Sequence, residues 1–123
     1  MLTVPDKRCT FDVHRPLSKI DHLLMHFHEQ TRYPSLEHII EFHRYAVEHE
    51  SGRKVDLAEA YNHAISNYES GEADAHCNVW DDATFRDQFQ TLSDINLLGD
   101  LVMTAFEPTP EGFNEFTVFF EKR

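Results

Sequence analysis

Between residues 17 and 70 three amphipathic segments follow one another with no strand between them, and this run constrains the fold more than any other feature of the chain. The third segment is the cleanest. Leu57, Ala60, Tyr61, Ala64, Ile65 and Tyr68 recur at i, i+3, i+4 and i+7, the spacing that aligns side chains on one face of an α-helix. Asp56 and Glu59 are spaced as a capping pair at its start, and Gly71 stops it. The second segment begins at Ser35, whose hydroxyl can accept from free amides of a first turn, and carries Leu36, Ile39, Ile40, His43 and Val47 before fading at Ser51-Gly52. The first puts Leu17, Ile20, Leu24 and Phe27 on one side, with Ser18 and Asp21 spaced as a cap and its returning acid, and Gln30 to Pro34 ends it.

On either side of this run the pattern changes. Residues 2–4 read as a strand stub, and a polar loop runs from Pro5 to Pro16. After the acidic loop Glu69 to Asp74, residues 75–80 read as a short extended segment, and Asp81 or Asp82 then caps a helix with Phe85, Phe89 and Leu92 inward. Residues 100–107 and 113–121 read as strands, the second alternating Phe116, Val118 and Phe120 with Thr117, Phe119 and Glu121. Pro108 to Gly112 turns these two into a hairpin. The expected fold is α+β, with about four helices packed on a small sheet of two to four strands that ends in a C-terminal antiparallel hairpin. At 123 residues one core is affordable and two are not, so a single domain is expected over 1–123: strand stub and polar loop 1–16, helical segment 17–70, strand-helix-hairpin 75–123.

Composition narrows the partners. Twenty-two acidic residues against eleven Lys and Arg give a net charge of -11, which repels a polyanion over most of the surface, so no nucleic acid is expected. No apolar stretch approaches the roughly 20 residues of a spanning helix, and the start lacks the basic and apolar regions of a signal peptide. No membrane association is expected, and the cytoplasm is the expected compartment. Cys9 and Cys77 form neither a disulfide framework nor a four-ligand zinc pattern and are read as reduced thiols.

The run Val4-Pro5-Asp6-Lys7-Arg8-Cys9-Thr10-Phe11-Asp12, followed by His14-Arg15-Pro16, resembles the segment after the fifth strand of class I S-adenosylmethionine-dependent methyltransferases. Leu36-Glu37-His38 with Glu41-Phe42 resembles helices inserted after that strand in a bacterial subgroup, and His76-Cys77-Asn78-Val79-Trp80 before Phe85 resembles a His-aromatic-His-Val-Trp segment leading into the last helix. Gly112 to Phe116 and Glu121-Lys122-Arg123 resemble the final strand and its basic terminus. The likeness spans nearly the whole chain, with Cys9 standing where the family has an aromatic and Asn78 where it has a second histidine.

The resemblance implies the C-terminal part of such a fold, its first strand paired with the last strand of the hairpin and open on the other side. The family holds its cofactor with a Gly-rich turn after an early strand, and Gly52, Gly71, Gly99 and Gly112 do not lie in such a context. A methyltransferase-like module is therefore expected, noncatalytic alone, with no cofactor for the isolated chain and S-adenosylmethionine only where a partner completes it. The open edge would be covered in a homodimer or by a protein partner; otherwise the first strand would leave the sheet and the helices would pack over the hairpin. The alternatives are a component of a split methyltransferase and a small-ligand or metal-binding protein.

Candidate ligand contacts are Asp6, Lys7, Arg8, Asp12, His14 and Arg15, because the resemblance puts their loop beyond the carboxyl end of a strand, where open α/β sheets bind ligands. The competing reading is that Arg8 or Arg15 pairs with Asp6 or Asp12 to tether the loop. His76 and Trp80 either line a pocket with them or are a hydrogen-bonded imidazole and a packed aromatic. Among nine histidines, His22 and His26 are four apart on one helix, the nearest approach to a metal pair. There is no His-Glu-x-x-His pattern and no evident third ligand, so no specific metal site is expected.

Overall fold

The computed structural model describes every residue, Met1–Arg123. In order along the chain come β1 (Leu2–Pro5), two short 3-10 turns (Lys7–Cys9 and Phe11–His14), α1 (Ile20–Glu29), α2 (Leu36–Ser51), α3 (Leu57–Ser70), α4 (Asp82–Asp94), β2 (Leu101–Glu107) and β3 (Glu115–Lys122). Four helices and one antiparallel sheet make the fold α+β, ending in the expected hairpin. No helix is long and apolar enough to cross a membrane. The chain divides into two compact units: a terminal unit of Met1–Thr10 with Trp80–Arg123, and a central unit of Phe11–Val79.

In the terminal unit the sheet order is β1-β3-β2. β3 is central, pairing with β1 on one side and β2 on the other, and it buries Phe116 and Val118 on one face. Val4 sits opposite Phe116 and Leu2 opposite Val118, so β1 remains in the sheet and the arrangement with a detached first strand is not adopted. β2 pairs along the other side with an irregularity between Met103 and Ala105. Val4, Phe85, Phe116 and Val118 form the core, with Phe89, Met103, Phe106 and Phe120 packed around it. Helix α4 supplies Phe85 and Phe89, i and i+4 on one face, stacked at 4.1 Å between ring centroids; Phe85 meets Phe116 edge-on at 5.1 Å. Asp81 caps this helix, accepting from the Thr84 amide at 2.7 Å.

In the central unit α2 packs on α3 and on the turn at Phe11–His14. Ser35 caps α2 and Asp56 caps α3, as their spacing predicts, and Gly52 and Gly71 end them in the left-handed region at φ 67° and 70°. The buried face of α3 is narrower than its apolar stripe. Ala60 and Ala64 are buried, while Leu57, Tyr61 and Tyr68 are exposed, because alanines let two helices approach closely and leave bulkier neighbours outside the seam.

Three local expectations are replaced. Helix α1 starts at Ile20 without a side-chain cap. Ser18 instead clamps Val79: its amide donates to the Val79 carbonyl at 2.9 Å and its hydroxyl accepts from the Val79 amide at 2.8 Å. No residue of α1 is fully buried, and Phe27, expected inward, is exposed. Residues 75–80 form no strand beyond an isolated bridge between Trp80 and Asp6.

Candidate functional site

The eight loop and motif residues singled out from sequence separate into two groups. Asp6, Lys7, Arg8 and Trp80 belong to the terminal unit; Asp12, His14, Arg15 and His76 belong to the central unit.

In the terminal unit Asp6 is a tether. Its carboxylate is fully buried and accepts from the Arg8 amide at 2.9 Å, from the Arg8 guanidinium, and from the Thr109 hydroxyl at 2.7 Å. Burial alone would raise its pKa, but the hydrogen bonds from Arg8 and Thr109 outweigh it and hold the carboxyl below its usual value. Arg8 reaches on to Asp82 at 2.8 Å, at the start of α4. The Lys7 amide donates to the Trp80 carbonyl at 2.8 Å, and the Trp80 indole donates to Gln88 at 2.9 Å. Every oxygen of Asp6 is thus occupied by the strand end and hairpin it fastens.

The central unit holds a second, deeper network. Arg15 is 1% exposed; its guanidinium donates to Asp12 Oδ1 at 2.9 Å and to the His76 carbonyl at 2.8 Å, and lies 3.6 Å from Glu41. The other Asp12 oxygen takes His76 Nδ1 at 2.6 Å, which fixes the imidazole proton on Nδ1 because an ionised carboxylate only accepts. Phe11 flanks that ring at 5.1 Å between centroids. Glu41 is raised from its usual pKa, first by burial, with Arg15 opposing. Arg15 pairs with Asp12, the tethering arrangement, and His14 is exposed, tilted against His49 at 5.6 Å.

Beside this network three imidazoles converge. His22 and His26, one turn apart on α1, face His38 in the first turn of α2, with ring centroids 4.7 to 5.4 Å apart and one nitrogen of each ring within 4.8 Å of the others. His38 occupies the capping-box position usually held by Glu or Gln: its amide donates to Ser35 Oγ at 3.3 Å, and its Nδ1 accepts from the Ser35 amide at 3.2 Å. A neutral imidazole accepting at Nδ1 carries its proton on Nε2. That Nε2 is buried with no partner, and an orphaned buried donor costs about 1–3 kcal/mol.

Burial first, then His26, His22 and Arg15, push the His38 pKa down to about 4, so the ring is neutral at pH 7. His26 is lowered in the same direction, by burial and then by His22. Glu37 lies 3.3 Å from His22 Nε2. An open groove of about 510 Å³ is lined by His22, His38, Glu37, Glu41, Met25 and Cys77 among others. Burial raises the Cys77 thiol pKa, so this sulfur is not an activated thiolate.

His22 and His26 were legible as an i, i+4 pair; His38 was not, since only the packing of α1 against the start of α2 makes it their neighbour. The Ser35-x-x-His38 spacing was the one available signal. No family model, no curated protein and no solved structure matches the chain.

Proposed function

We propose that this chain is a methyltransferase-like C-terminal module, noncatalytic by itself, that associates through the open edge of its sheet. The observation that carries this reading is the strand order β1-β3-β2, with the last strand central and antiparallel to both neighbours. The methyltransferase resemblance expects that pairing of the first strand with the last. A second support is that residues 11–79 form their own compact unit between the two stretches of the terminal unit, as a helical insertion after the first strand would.

Asp6, Lys7 and Arg8 then act as the fastening at the end of β1, and β1 offers one row of backbone amides and carbonyls to a further strand. A second copy of this chain supplies that strand most simply, through a two-fold axis that sets β1 against β1. In this reading S-adenosylmethionine has no role in the module alone: the four glycines, all at positive φ, end helices or lie in turns, and none sits in a Gly-rich turn leading from a strand into a helix. Their freedom serves turns and helix ends.

Light scattering at micromolar concentration tests the association. A dimer that dissociates when Thr3 or Leu2 is replaced by Pro or Lys is expected, and a monomer at all concentrations contradicts it. Calorimetry with S-adenosylmethionine tests the cofactor half of the reading: micromolar binding by the pure chain would overturn it.

A further inference from the structure

We propose that His22, His26 and His38 form a binding site for a divalent transition metal of the zinc, cobalt and nickel class, with an open coordination position on the groove lined by His22 and His38. Three imidazoles from two helices already have nitrogens within 4.8 Å of one another. Tetrahedral coordination with metal–nitrogen distances of about 2.0–2.1 Å needs those nitrogens roughly 3.4 Å apart. The shortfall is closed by side-chain rotation, since His22 and His26 are half-buried on a helix with no fully buried residue, while His38, 2% exposed, is the fixed point.

The second, independent observation is the buried His38 Nε2 without a partner. Within the chain nothing satisfies it, and a metal does so by replacing its proton. The ring proton then belongs on Nδ1, so His38 can no longer accept from the Ser35 amide, and occupation of the site is coupled to the first turn of α2. Glu37, 3.3 Å from His22 Nε2, is placed to hold that nitrogen's proton and leave His22 Nδ1 for the metal, the carboxylate–histidine support common behind metal-bound imidazoles.

The donor set selects the class of ion. Neutral imidazoles suit zinc, cobalt, nickel and copper, whereas magnesium and calcium require oxygen ligands, and no thiolate belongs to the cluster. Three protein ligands leave a position for water or an anionic ligand, which the open groove supplies. This site lies within the central unit and does not depend on the association proposed for β1.

The test is calorimetric titration of the metal-free chain with zinc ion, and the absorption spectrum of the cobalt-loaded chain. Binding of one equivalent at micromolar affinity or tighter is expected, with intense visible bands from four-coordinate cobalt. His22→Ala and His26→Ala should each weaken zinc at least tenfold. His38→Gln should do the same while keeping a residue that completes the capping box, and circular dichroism should show its helix content unchanged. His28→Ala, an exposed histidine of the same helix outside the cluster, should leave affinity unaltered. Loss of affinity shared equally by His28→Ala, or a wild-type chain that binds zinc no more tightly than the His22 and His26 variants, overturns the proposal.

Discussion

Asp6 in the terminal unit and His38 in the central unit are buried polar groups with opposite fates. In the terminal unit Asp6 is fully buried and fully used, its oxygens shared between Arg8 and Thr109. In the central unit His38 is almost as deeply buried and left with an unpartnered nitrogen beside two more imidazoles. A satisfied buried charge rigidifies the place where chain segments meet; an unpartnered buried donor is a standing cost that a ligand can remove. The Asp6 network reads as architecture, the imidazole cluster as a site.

The largest effect expected from this contrast comes from the aromatic core. Phe116→Ala removes a ring in contact with Phe85 and Phe106 and should cost about 3–5 kcal/mol, measured by urea unfolding with Trp80, the only tryptophan, as the fluorescent reporter. A loss below about 1 kcal/mol would mean that the terminal unit is not held by this cluster.

Next in size is the acid response of the central unit. His38 is neutral in the fold down to about pH 4 but protonates near 6.5 when unfolded. Because its folded pKa is depressed, the stability it confers is complete above 6.5 and is lost as pH falls toward 4, by about 3 kcal/mol in the metal-free chain. His38→Gln should flatten that part of the pH profile of stability, and an unchanged slope would remove the ring from the account.

Asp6 gives the matching test in the terminal unit. Asp6→Asn keeps the shape, weakens the hydrogen bonds from Arg8 and should cost about 2 kcal/mol at pH 7. Its folded pKa is lowered, so its contribution is present above the unfolded value of 3.8 and disappears only as pH falls through the folded value. The two units therefore respond in different windows: His38 between 6.5 and 4, Asp6 below 3.8. Smallest is Asp81→Ala, which deletes the α4 cap at a cost of about 1 kcal/mol, read by amide exchange in the first turn of that helix.

Much of the scaffold was legible because it depends on local periodicity and caps. Phe116, Val118 and Phe120 alternate as the inner face of β3 should, and Ser35, Asp56 and Asp81 cap the helices that their spacing announces. Where tertiary competition decides, sequence reasoning went astray. Ser18 has the right spacing to cap α1 but gives its hydroxyl to Val79, and the Tyr61 and Tyr68 half of the α3 stripe is excluded by the alanine seam. The site was legible in half: His22 and His26 share a helix face, whereas His38 joins them from another helix, and no spacing within one element encodes that meeting.

The most direct test of the contrast is the protonation of individual histidine nitrogens, read by long-range proton–nitrogen correlation NMR with and without one equivalent of zinc. The metal-free chain should show His38 with its proton on Nε2; zinc should move that proton to Nδ1 and shift His22, His26 and His38 while leaving His43, His63 and His76 in place. A His38 ring that keeps the same tautomer, or shifts spread evenly over all nine histidines, would contradict the view of the central unit as a built site.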